Sequence, residues 1–158
     1  LGDCTCEAEG VECGSATVCG GGTGGVNCMQ DAWSVDLQAS LHSDKDVDLY
    51  LLEVLDSATP ILAQAYNGQS DRVLYMTYLC PDGFVGMAGC SGDVDGEQGI
   101  EFCRSSGDFV GIQRRCDSSV SSKVGTVLLG VESKEFRGDC DPYGLKITAT
   151  YGQEIPSF

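Results

Sequence analysis

Ten cysteines occur in this chain of 158 residues, and they fall into two clusters. Cys4, Cys6, Cys13, Cys19 and Cys28 come first, and Cys80, Cys90, Cys103, Cys116 and Cys140 follow after a long stretch without any. Structural zinc sites use closely paired thiolates such as C-x2-C, a spacing that occurs nowhere here. The cysteines therefore read as disulfides, which persist where the compartment is oxidising. With five cysteines in each cluster, full pairing demands an odd number of bridges between clusters, so the N-terminal segment is expected to be stapled to the rest. Spacing leaves the connectivity open. Pairing of sequence neighbours suggests Cys80 with Cys90, Cys103 with Cys116, and Cys140 with an N-terminal cysteine.

A chain of this length can build one domain with a core of its own. Bridges in such number point instead to durability in an exposed, secreted or cell-surface setting. No apolar run is long enough to span a membrane as a helix, and no charged-then-apolar leader opens the chain. Asn27 and Asn67 are not followed by the Ser or Thr that N-glycosylation requires. The net charge is -15, which excludes a phosphate-binding surface of the kind nucleic acid needs. Acid is concentrated early, because residues 1–56 hold eleven Asp and Glu against Lys45 alone.

Residues 1–30 show little periodicity and include the run Gly20-Gly21-Gly22-Thr23-Gly24-Gly25. They read as a Cys/Gly-rich loop held by disulfides, ahead of a sandwich domain over 31–158. From residue 31 apolar and polar residues alternate: Trp33, Val35, Leu37, Ala39 and Leu41 are interleaved with Ser34, Asp36, Gln38 and Ser40. That period of two predicts a strand with one wet face. Val47–Leu55 is apolar on both faces and predicts a buried central strand, and Ile61–Tyr66, Arg72–Leu79 and Val124–Val131 follow in similar style. Leu145, Ile147, Ala149 and Tyr151 alternate with polar residues to close the set. Turn residues such as Asn67-Gly68 separate these segments, and no window carries a helical stripe, so the fold class is all-β, an antiparallel sandwich. Residues 80–123, weakly patterned and holding four cysteines, read as an inserted, bridge-stapled excursion at one end, of the length that often carries function.

Asp46-Val47-Asp48-Leu49-Tyr50, Gly125-Thr126-Val127-Leu128-Leu129-Gly130-Val131 and Tyr143-Gly144-Leu145-Lys146-Ile147 together resemble the bacterial pre-peptidase C-terminal domain. The likeness spans about residues 31–79 and 124–151. It implies a jelly-roll-like β-sandwich that serves as a non-catalytic accessory domain, often calcium-binding and sometimes in contact with a polymeric substrate.

Calcium takes oxygen ligands that converge from loops. Asp44, Asp46 and Asp48 alternate just ahead of a strand, with Asp139 and Asp141 as partners across the sandwich, and this set is the first candidate metal site. Asp93 and Asp95, in Asp93-Val94-Asp95-Gly96-Glu97, are a weaker candidate, because aligning Gly96 with the sixth position of an EF-hand loop puts Ser91 first and Phe102 twelfth, where carboxylates belong. Enzymatic signals are thin. G-x-S-x-G is absent, His42 is the single histidine, and with 24 acids chance proximity of two carboxylates carries no weight as a glycosidase signal. Trp33 reads as core, and Tyr66, Tyr75, Tyr78 and Tyr151 are available for stacking. The expected function is a secreted, non-catalytic, calcium-stabilised binding module whose partner is an extracellular polymer or protein. The alternative is a structural subunit of an extracellular filament or surface layer, with copies of itself as partners.

Overall fold

The computed structural model describes residues 12–18, 33–41, 43, 45–54, 60–67, 72–80, 89–97, 100–113, 125–135 and 141–149. Its strands are β1 (Glu12–Val18), β2 (Trp33–Leu41), β3 (Val47–Val54), β4 (Ile61–Tyr66), β5 (Arg72–Leu79), β6 (Gly89–Cys90), β7 (Asp93–Glu97), β8 (Ile100–Ser105), β9 (Phe109–Gln113), β10 (Gly125–Ser133) and β11 (Asp141–Ala149). They form a six-stranded sheet in the order β1-β3-β10-β5-β8-β7 and a five-stranded sheet in the order β2-β11-β4-β9-β6. Setting aside β1, β6 and β7, the other eight strands place the first, eighth, third and sixth in one sheet and the second, seventh, fourth and fifth in the other. That is the jelly-roll arrangement.

Alternation along the strands builds the core. In β3 the even-numbered side chains Asp48, Tyr50, Leu52 and Val54 are buried, while the odd-numbered ones are half-buried or exposed. Leu41, Ala39, Leu145 and Ile147 answer from the facing sheet, and Leu74, Met76, Val127 and Leu129 complete the layer. The strand buried on both faces is β5 rather than β3, since Val73 and Thr77 on its outer side are also buried. After β4 the chain turns through Asn67 at a φ of 55°, a left-handed conformation that Asn tolerates better than most residues.

Two segments depart from the pattern expected of the sequence. The first 30 residues are not loop throughout, because β1 pairs in parallel with β3 at the edge of the six-stranded sheet. Its residues are small or polar, so no apolar period announces it; its backbone register on β3 defines it. Nor do the described residues 89–97 and 100–113 of the 80–123 region stand off one end. Residues 89–113 form a bent hairpin whose arms each cross between sheets, β6 to β7 and β8 back to β9. The first arm bends at Ser91-Gly92. The Ser91 amide donates to the Gly111 carbonyl at 3.0 Å and the Gly111 amide to the Ser91 hydroxyl at 2.6 Å. A Cβ on Gly92 would lie 2.2 Å from the Arg104 carbonyl oxygen, so only glycine permits this approach.

Cys90 and Cys103 are joined, with Cα atoms 5.4 Å apart. This corrects the expected Cys80–Cys90 and Cys103–Cys116 pairings, because crossing of the hairpin arms brings β6 of one sheet against β8 of the other. Cys80 is also disulfide-bonded, to a partner whose side chain lies outside the described residues, and none of the described cysteines is free. The positions of Cys4, Cys6, Cys19, Cys28, Cys116 and Cys140, and the side chain of Cys13, lie outside the described residues. Closing the loop between Cys90 and Cys103 stabilises by about 3 kcal/mol through restriction of the unfolded chain. The double substitution Cys90→Ala/Cys103→Ala is expected to lower the unfolding free energy by about that amount in urea titrations under oxidising conditions. An unchanged midpoint would show that the bend holds without the bridge.

Candidate functional site

Two of the aspartates singled out in the sequence, Asp48 and Asp141, are held at the core as partners of protein groups. Asp46 and Asp48 flank the start of β3 and are each 4% exposed, and Asp141 opens β11 at 0%. The Tyr143 hydroxyl donates to Asp48 Oδ2 at 2.5 Å, and the Tyr50 and Tyr143 hydroxyls lie 2.9 Å apart. Since the Tyr143 proton points to Asp48, Tyr50 is the donor in the second bond, giving a relay from Tyr50 through Tyr143 to Asp48. Arg72 on β5 donates from Nη1 to Asp141 Oδ2 at 2.6 Å, and from Nη2 to the Asp141 and Pro142 carbonyl oxygens at 3.4 Å each. Its guanidinium also sits 5.3 Å from the centroid of the Tyr143 ring, a cation–π contact.

Calcium has to compete with these contacts. Asp141 already faces a guanidinium and Asp48 a hydroxyl donor, and among the described residues no group of three or more His, Cys, Asp or Glu side chains is arranged to hold a metal. The described carboxylates alone therefore do not fit a calcium cage, and Asp44 and Asp139 lie outside the described residues. Calorimetry in calcium and in EDTA decides whether the ion is held: a clear loss of melting temperature in EDTA puts a calcium ion at the acidic turn, and an unchanged one removes it.

Breaking the buried pair is a different matter. Removing one member of a buried ion pair strands the other charge at a cost of about 3–5 kcal/mol, whereas replacing both by apolar residues is often neutral. Asp141→Asn is thus expected to lose about 3–5 kcal/mol in chemical denaturation, and Arg72→Met/Asp141→Leu to lose much less. Equal losses would show that the pair's charge is not what matters there.

Tyr143 and Tyr75 resist ionisation. Burial raises the Tyr143 pKa strongly, helped by the neighbouring Tyr50 and Asp48. Burial, then the nearby charge of Glu132, pushes Tyr75 up to about 12 from 10.0. Both groups hold their proton more tightly folded than unfolded. Their contribution to stability is intact below pH 10.0, declines as pH climbs through about 12 for Tyr75, and continues to fall above that for Tyr143. In an alkaline absorbance titration Tyr143 is expected to ionise only as the fold is lost, on the same curve as the circular dichroism change. Full ionisation of every tyrosine with the fold intact would contradict this.

A second polar feature lies on the outer face of the six-stranded sheet, where Tyr75, Phe102, Arg104, Glu132 and Asp95 line a notch of about 370 Å³. Tyr75 and Arg104 are opposite each other across β5 and β8, and Phe102 and Asp95 across β8 and β7. Gly130 explains how the notch gets its floor. A Cβ there would lie 2.0 Å from Tyr75 Cζ, so the phenol end of the ring lies down on the β10 backbone. The Phe102 ring stands at 89° to it, centroids 5.9 Å apart, the edge-to-face geometry that aromatic pairs favour. Arg104 donates to Glu132 at 3.3 Å and lies 3.9 Å from Asp95. The weaker calcium candidates are therefore split in role: Asp95 is a rim residue of this notch, and Asp93 is exposed on the same edge strand.

Of the other residues read as candidates for stacking, Tyr78 is buried in the core, and Tyr66 lies on the opposite outer face over Gly144, where its hydroxyl donates to Asp36. That bond raises the Tyr66 pKa. Tyr151, His42 and the Trp33 side chain lie outside the described residues. Phe102, Arg104 and Glu132 carried no motif in the sequence; the one available signal was that Phe102 and Arg104 flank the inward Cys103 at the strand period. Comparison with known protein families, with characterised proteins and with solved structures finds no match to this chain.

Proposed function

We propose that this protein is a secreted, non-catalytic binding module, a jelly-roll sandwich of the accessory-domain kind that its strand motifs resemble. The observation that carries the reading is the notch of Tyr75, Phe102, Arg104, Glu132 and Asp95 on a rigid sheet. Small-molecule and polymer sites combine apolar surface with a few placed polar groups, and sites built on strands hold their geometry better than sites on loops. The bonded Cys80 and the Cys90–Cys103 bridge support an oxidising, extracellular setting. The reading needs no calcium and no reacting residue. Among the described residues no helix is long and apolar enough to cross a membrane.

The oxidised protein is expected to co-sediment with insoluble extracellular material, wall or matrix, prepared from its own source, and to leave peptide, ester and glycoside substrates intact. Recovery wholly in the supernatant with every preparation would sink the module reading.

A second reading, a subunit of an extracellular filament or surface layer, rests on β2. This nine-residue strand ends the five-stranded sheet, and an edge strand is a template for pairing with another chain. Light scattering separates the two: growth of large particles with concentration favours the subunit, and a constant monomer mass favours the module.

A further inference from the structure

We infer that the notch on the six-stranded sheet binds a neutral saccharide, an inference that rests on the binding-module reading and gives its ligand a chemical class. Charge decides between the classes. The notch holds two carboxylates, Asp95 and Glu132, with Arg104 between them at 3.9 and 3.3 Å. An anion approaching Arg104 meets both carboxylates, and a cation approaching the carboxylates has to displace a guanidinium already there. A neutral polyhydroxylated ligand meets neither obstacle. Each hydroxyl both donates and accepts, so one ligand can give hydrogen bonds to carboxylate oxygens and take them from the guanidinium.

The apolar half of the match comes from the rings. Tyr75 is laid down over Gly130 and Phe102 stands across it at 89°, so the notch has an aromatic floor and an aromatic wall. The C–H face of a pyranose is apolar and flat enough to pack on either. The Tyr75 hydroxyl, like any phenol, is protonated at physiological pH and able to donate. The volume, about 370 Å³, is at the small end of the range for ligand pockets, about 300–1,000 Å³, which suits a short stretch of saccharide entering from the open outer face.

The test is isothermal titration calorimetry of the oxidised protein with neutral cello-, manno- and chito-oligosaccharides, alongside an oligogalacturonate and an oligolysine. At least one neutral oligosaccharide is expected to bind. Phe102→Ala and Arg104→Ala are each expected to weaken that binding by about tenfold or more, the range set by loss of a packed ring or a charged hydrogen-bond donor. Phe109→Ala, on the opposite sheet, should leave it unchanged. All three positions are half-buried or exposed, and thermal melts confirm folding. Should Phe102→Ala not fold, Glu132→Gln takes its place, with the same loss expected. Absence of binding by every neutral oligosaccharide, or binding that survives these substitutions, overturns the inference. Binding of the oligogalacturonate or oligolysine alone overturns it too while leaving the module reading standing, whereas failure of co-sedimentation with any extracellular material removes the module reading itself.

Discussion

The guanidinium of Arg72, rooted in the six-stranded sheet, reaches across the core to the carboxylate and two carbonyl oxygens at the start of β11 on the facing sheet. Beside it the Tyr50–Tyr143–Asp48 relay makes a second polar link between the same sheets. Apolar packing is non-directional and tolerates small displacements. A buried ion pair does not, because a shift of one residue would leave charge unpaired in a low-dielectric interior. These contacts therefore select one alignment of the sheets, and the apolar layer of Leu41, Leu52, Leu129 and Leu145 fills in around it. The opposite constraint operates at the bent hairpin, where a covalent bridge between Cys90 and Cys103 holds the sheets together.

Close tyrosine–glycine contacts recur across this framework. Tyr75 on Gly130 and Tyr66 on Gly144 are direct cross-strand pairs on the two outer faces, and Tyr78 lies against Gly125 from within. In each, the missing side chain on one strand makes room for a ring on the next, restoring apolar contact that a strand glycine otherwise forfeits. At Gly130 the same arrangement also shapes the notch, so the packing of the sheet and the form of the candidate site share one cause.

Much of the sandwich was legible from period-two alternation. Ile61–Tyr66 and Arg72–Leu79 coincide with β4 and β5, and the segments at 33–41, 47–54, 125–133 and 141–149 were foreseen within a few residues. What escaped was structure whose cause lies elsewhere in the chain. β1 is a strand because β3 offers it an edge, and β6 to β9 are short strands that bend between sheets, so none sustains a long alternation. The site was less legible than the fold. Asp48 and Asp141 stood out as acids, yet their partners Tyr143 and Arg72 are 95 and 69 residues away, and nothing local to either aspartate announces a hydroxyl or a guanidinium. Tyr75 was visible as an aromatic, while Arg104 and Glu132 meet it only through strand order.

That strand order also governs when the molecule can assemble. β10 lies between β3 and β5, and β11 between β2 and β4, so one inner position of each sheet is filled by one of the last two described strands. During synthesis β3, β5, β2 and β4 wait without these neighbours until β10 and β11 are present. Such long-range pairing makes folding slow. A chain that stays open this long gains its lasting form only when β11 inserts between β2 and β4 and Arg72 finds Asp141.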